Sequence, residues 1–139
     1  MKKTGTDCYK VVTLDRESVC SNFGLFSHAF PNEEERKRMK DLLRKKRITK
    51  VYKKGSVVRA AKIAGPILCF DTYGNAKNWA DTFVKEFKIL SVRGFEKEKV
   101  QIMKFSFDCW RDFIINGTMS SFSSTINGCV GYRRIKVLT

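Results

Sequence analysis

The apolar positions of this chain change period several times, and those changes predict its elements. "CYKVVTL", residues 8–14, is rich in β-branched residues and predicts an opening strand. Residues 15–31 show no period, and Phe23, Phe26 and Phe30 are expected to fold back on the core. A helix follows. Asn32 is its expected N-cap and Glu35 sits at the N3 position of a capping box. Acids fill the first turn and Arg44, Lys45, Lys46 and Arg47 the last, as the helix dipole favours. Met39, Leu42 and Leu43 give it only a narrow apolar stripe, which predicts a surface helix.

Two β-like segments are expected at 48–53 and 57–63, separated by Lys54-Gly55, and "PILCF" at 66–70 reads as a short buried strand. Asp71 or Thr72 can cap a second helix whose Ala76, Trp79, Ala80, Phe83 and Phe87 recur at steps of three and four. Strands are expected near 87–93 and 98–105. A third helix is expected at 107–115 with Trp110, Phe113 and Ile114 inward, then a Ser/Gly-rich loop at 116–128 and a closing basic strand, "CVGYRRIKVL". Hairpins and helices alternate without a regular βαβ rhythm. The expected fold is one α+β domain over residues 1–139, with a mostly antiparallel sheet and about three helices.

Charge changes this picture more than composition does. The 139 residues carry 28 Lys and Arg against 14 Asp and Glu, a net charge of +14. Residues 36–63 hold thirteen of the basic groups and a single acid, Asp41. A field of that sign concentrates polyanions: nucleic acid, nucleotides or an acidic protein surface. An anionic membrane is a poorer match, because the basic helix lacks a broad apolar face. Asn116-Gly-Thr matches a glycosylation sequon but reads as a turn, because the N-terminal residues show no signal-peptide pattern and no run approaches a membrane span of about 20 residues. The five cysteines (Cys8, Cys20, Cys69, Cys109, Cys129) are odd in number and include no Cys-x-x-Cys pair, which disfavours a disulfide framework or structural zinc. A cytoplasmic protein in a reducing host cytosol is the expectation, with no cofactor.

Catalytic chemistry finds little to use. The one histidine, His28, lies among aromatics in "FSHAF" and reads as a packing residue. Asp108 and Asp112 are four apart with Arg111 between them, a spacing that suits salt bridging. Gly55, Gly65 and Gly74 form no phosphate-loop fingerprint. A non-enzymatic binding protein is expected, and a small nuclease-like enzyme is the weakest alternative. Arg59, Arg93, Arg111, Arg133 and Arg134 fall on or beside regular elements, where a specific anion site would be built. Tyr52, Tyr73, Phe95, Trp110 and Tyr132 lie near them in sequence, the mixture that a stacked base and a gripped phosphate would use.

"YKVV" at 9–12 and "VYKKGSVVRAAKIAGPILCFDTYGNAKNWA" at 51–80 share a Tyr-x-x-Gly, a basic strand, Gly-Pro-Ile leading to Phe-Asp, and a helix opened by Asn-Ala. In these features the chain resembles the phage anti-Thoeris sponges, the first described Thoeris anti-defence family. The resemblance covers about a third of the chain. It implies a viral protein that sequesters a cyclic ADP-ribose-type signal made by bacterial TIR enzymes without cleaving it, and a homo-oligomer with ligand near subunit interfaces. Matched to that family, Arg59, Arg111 and Phe83 are the ligand-gripping positions, and Arg93, Arg133 and Arg134 complete the candidate set. The chain departs from the pattern after the second helix, where Val92-Arg93 stands in place of a polar ligand-gripping residue. The alternative reading is a nucleic-acid-binding protein, or an inhibitor of a CRISPR ribonucleoprotein, acting through residues 36–54.

Overall fold

The computed structural model describes residues 5–19, 33–45, 47–61, 65–83, 86–103, 116, 121–123 and 126–139. Its strands are β1 (Thr6–Val12), β2 (Glu17–Val19), β3 (Thr49–Val51), β4 (Val57–Arg59), β5 (Ile67–Phe70), β6 (Lys88–Glu98), β7 (Gln101–Met103), β8 (Ser121–Ser123) and β9 (Cys129–Val137). The helices among the described residues are α1 (Glu33–Lys45) and α2 (Tyr73–Phe83). Every strand pairing recorded is antiparallel. The mixed α+β class therefore holds. The expected third helix at 107–115 lies outside the described residues.

The central sheet closes on itself. β1 pairs with β5 on one edge and β6 on the other, and β9 pairs with β6 on one edge and with β5 and then β4 on the other. The result is a small barrel. Two long strands make closure possible. β6 offers 88–94 to β1 and 92–98 to β9, while β9 gives 129–132 to β5 and 134–136 to β4.

Burial explains the strand sequences. Cys8, Val12, Ile67, Cys69, Leu90, Val92, Ile135 and Val137 form one buried cluster, into which Leu43 of α1, Ile48 and Tyr52 also pack. Val11, Leu68 and Phe70 join a second cluster under Ala76 and Ala80 of α2. β5 is thus buried on both sides, which is why "ILCF" is an unbroken apolar run. Lys10 shares the parity of Cys8 and Val12 and is wholly buried. Its ammonium donates to the Leu68 carbonyl at 2.6 Å and lies 5.5 Å from the Tyr52 ring centre, so carbonyl and ring face replace part of its lost hydration.

Several boundaries differ from the sequence expectation. The segments expected at 87–93 and 98–105 are one eleven-residue strand followed by short β7, because β6 must reach both β1 and β9. α2 stops at Phe83, so Phe87 lies beyond it, although it still packs on the second cluster. Thr72, rather than Asp71, caps α2: its hydroxyl accepts the Asn75 N–H at 3.1 Å. The Ser/Gly-rich stretch contains β8, paired to β7, and the aperiodic stretch after residue 15 contains β2, paired to β3.

Candidate anion-binding face

In a β-pair, directly opposed residues present side chains on the same side of the sheet, so register decides which residues meet. Arg59 of β4 stands opposite Arg134 of β9, and Arg134 stands opposite Phe95 of β6. Two residues along, Val57, Lys136 and Arg93 form a parallel row, with Asp7 of β1 opposite Arg93. Arg59, Arg93 and Lys136 are exposed, and Arg134 and Phe95 are half-buried. Four cations and one aromatic ring therefore share this outer face, with Asp7 as the acid in its rows.

The groups on this face are unequally satisfied. Arg93 donates to Asp7 at 3.1 Å. The Arg134 guanidinium lies 4.8 Å from the centre of the Phe95 ring, within cation–π range. Its Nε is buried and finds no hydrogen-bond partner among the described residues. Arg59 and Arg134 are like charges at directly opposed positions, an arrangement that weakens a sheet unless an anion lies between them.

The structure sorts the six candidate residues. Arg59, Arg93 and Arg134 come together on this face. Arg133, one residue along β9, is engaged by Glu98 at 2.7 Å. Phe83 ends α2 rather than standing on one of the three strands of this face, and its side chain lies outside the described residues. Arg111 lies outside the described residues as well. Phe95, expected as one of the aromatics near the arginines, joins the face, and Lys136 completes it without having been singled out. Their signal was the period-two spacing of Arg93 with Phe95 and of Arg134 with Lys136.

A second basic region surrounds α1, where Lys37, Arg38, Lys45 and Arg47 are exposed, as are Lys53 and Lys54 after β3. Arg44 has a structural task. Its Nε and Nη2 donate to the two Glu17 carboxylate oxygens at 3.0 and 2.7 Å, and this pairing with Glu17 holds its pKa above the ordinary value. That fork ties α1 to β2 while Leu43, wholly buried, enters the barrel cluster.

Among the described cysteines, Cys8 and Cys69 are buried and Cys129 is half-buried. Burial pushes Cys69 well above its ordinary value, and a hydrogen bond from Cys69 holds Cys8 below its own. Burial pushes the Cys129 thiol from 9.0 up to about 12. A raised folded-state pKa means that the unfolded chain releases this proton first. The Cys129 contribution is complete below about pH 9 and is lost as pH rises towards 12. Melting temperature should therefore fall over that interval, and Cys129→Ala should flatten the fall. An unchanged slope in the variant would mean that Cys129 does not carry it.

Among the described residues, no group of three His, Cys, Asp or Glu side chains is placed to hold a metal ion. No described helix is long and apolar enough to cross a membrane. Comparisons with protein families, curated proteins and solved structures find no match to this chain.

Proposed function

We propose that the protein binds a phosphate-bearing nucleotide ligand on the outer face of β4, β9 and β6 and holds it without chemical change. The observation that carries this reading is the cross-strand pair Arg59–Arg134, with Arg134 lying on Phe95. Two guanidinium forks in opposed positions match the oxygens of a diphosphate, and a bound anion turns their mutual repulsion into attraction. An aromatic ring beside them offers a surface for a base. A cyclic ADP-ribose-type signal combines these features, so sequestration of such a signal by a viral anti-defence protein is the specific form of the proposal. Homo-oligomerisation that brings two such faces together would likewise require an anion between them.

A second reading, binding of a nucleic-acid backbone, is favoured by the exposed cations of α1 and of the segment after β3. Calorimetric titration with cyclic ADP-ribose, alongside single-stranded and duplex oligonucleotides at several salt concentrations, separates the two. Tight binding of the cyclic nucleotide, and its recovery intact after heat denaturation, is expected. A duplex affinity whose logarithmic salt slope grows by about 0.9 per phosphate contact would transfer the function to nucleic acid. Recovery of a linearised nucleotide would make the protein an enzyme.

A further inference from the structure

A cleft of different chemistry lies between α2 and the turn that leads into β9. Asn75, Asn78, Trp79, Ile126 and Asn127 line it, and its volume is about 190 Å³. That is smaller than the roughly 300–1,000 Å³ of pockets for drug-sized ligands, and suits a single ring. No lining side chain is charged. That lining gives a phosphate no ion-pairing partner, unlike the arginine face.

Specific contacts tie the start of α2 to the turn beside the cleft. Asn75 N–H donates to the Thr72 hydroxyl at 3.1 Å, and Asn75 Nδ2 donates to Asp71 Oδ1 at 2.9 Å, which fixes the orientation of its carboxamide. Asp71 N–H in turn donates to the Gly128 carbonyl at 2.8 Å, tying the turn to the start of α2. Gly128 has φ 72°, and a Cβ there would collide with the Asp71 carboxylate and the Asn75 carboxamide. The turn thus approaches the helix as closely as only glycine permits. Lys77 and Asp81, on the same helix, neutralise each other at 2.9 Å.

We propose that this cleft binds one uncharged sugar ring. Each carboxamide supplies an acceptor beside a donor, the pattern that neighbouring sugar hydroxyls complement. These amides come from two walls, Asn75 and Asn78 on the helix and Asn127 on the turn, so they meet a ring whose polar groups radiate around its rim. Trp79 lines the cleft, half-buried and set against Phe70 with ring centres 5.9 Å apart, and supplies an aromatic part of the wall where sugar C–H groups could pack. A nucleobase would concentrate its hydrogen bonds along fewer edges. This site does not depend on the arginine face, and either can stand without the other.

Amide-resolved NMR titration of the full chain with the methyl glycosides of glucose, galactose, mannose and N-acetylglucosamine tests the assignment, with adenosine and cytidine as a parallel arm. At least one glycoside should saturate with a dissociation constant on the order of 1 mM. It should perturb the Trp79 indole and the Asn75, Asn78 and Asn127 carboxamides. Asn78→Ala and Asn127→Ala alter exposed side chains, so their spectra should show an intact fold while affinity falls about tenfold in each. Absence of saturable binding by every glycoside, equal affinity in both variants, or tighter binding of a nucleoside at the same residues would each overturn the proposal.

Discussion

Arg59→Glu should make the protein slightly more stable while weakening binding of the proposed phosphate-bearing ligand, and Arg59→Glu with Arg134→Glu should abolish that binding. The single reversal replaces a like-charge cross-strand pair by an opposite-charge pair, a change on the order of 0.2–1 kcal/mol in favour of the fold. Each charge-assisted hydrogen bond to phosphate contributes about 1.5–3 kcal/mol, so losing both arginines should cost about two to four orders of magnitude in affinity. Arg134→Met gives a further check. It keeps an apolar stem on Phe95 and removes the charge, so binding should fall with little loss of stability. Titration calorimetry paired with thermal melts reads both quantities. Undiminished affinity in the double variant would remove the face as the site, and a less stable Arg59→Glu protein would refute the repulsion argument.

Gly94→Ala should be among the most damaging small substitutions available. Gly94 is buried within β6, paired with Thr6 on one edge and Ile135 on the other. A Cβ there would lie 2.5 Å from two carbons at the base of the Tyr132 ring and 2.6 Å from a third. Tyr132 is 4% exposed, so the ring has little room to retreat, and β6 is held by strands on both sides. Overpacking of this kind typically costs about 1–3 kcal/mol, a large fraction of the roughly 5–15 kcal/mol that keeps a domain folded. Denaturant unfolding of Gly94→Ala, Tyr132→Leu and the double variant measures it. The double variant should be less destabilised than the sum of the singles, because the smaller side chain vacates the contested space. Strict additivity would show that Tyr132 is not what the new methyl meets.

Local chemistry made much of the chain readable in advance. α1 was legible from its acid-first, base-last charge order, and α2 from a capping residue at Asp71 or Thr72 followed by apolar steps of three and four. β5 was legible because burial on both sides leaves no polar position in "ILCF". The lengths of β6 and β9 were less so, since hydropathy alternation is diluted where a strand passes between edges with different neighbours. Phe87 continues the helical period of α2 yet lies beyond its end, because packing on the sheet rewards an apolar residue there in either conformation.

What the sequence by itself determined about the site is therefore the identity of its charges and their parity within each strand. Arg93 with Phe95, and Arg134 with Lys136, must share a side because strand side chains alternate with period two. Only the tertiary structure decided that these pairs meet each other and Arg59. The register joining Phe95 to Arg134 and Arg134 to Arg59 is set by long-range pairing as the barrel closes, between segments far apart in the chain. Tertiary structure likewise separated Arg133, given to Glu98, from its neighbour Arg134, and put Arg44 to work as a tie to Glu17. It also brought Asn127 against Asn75 and Asn78, through a turn whose close approach depends on Gly128. Each of these outcomes depends on which strands and turns become neighbours, and that is settled by the free energy of the whole closed sheet rather than by any local stretch of residues.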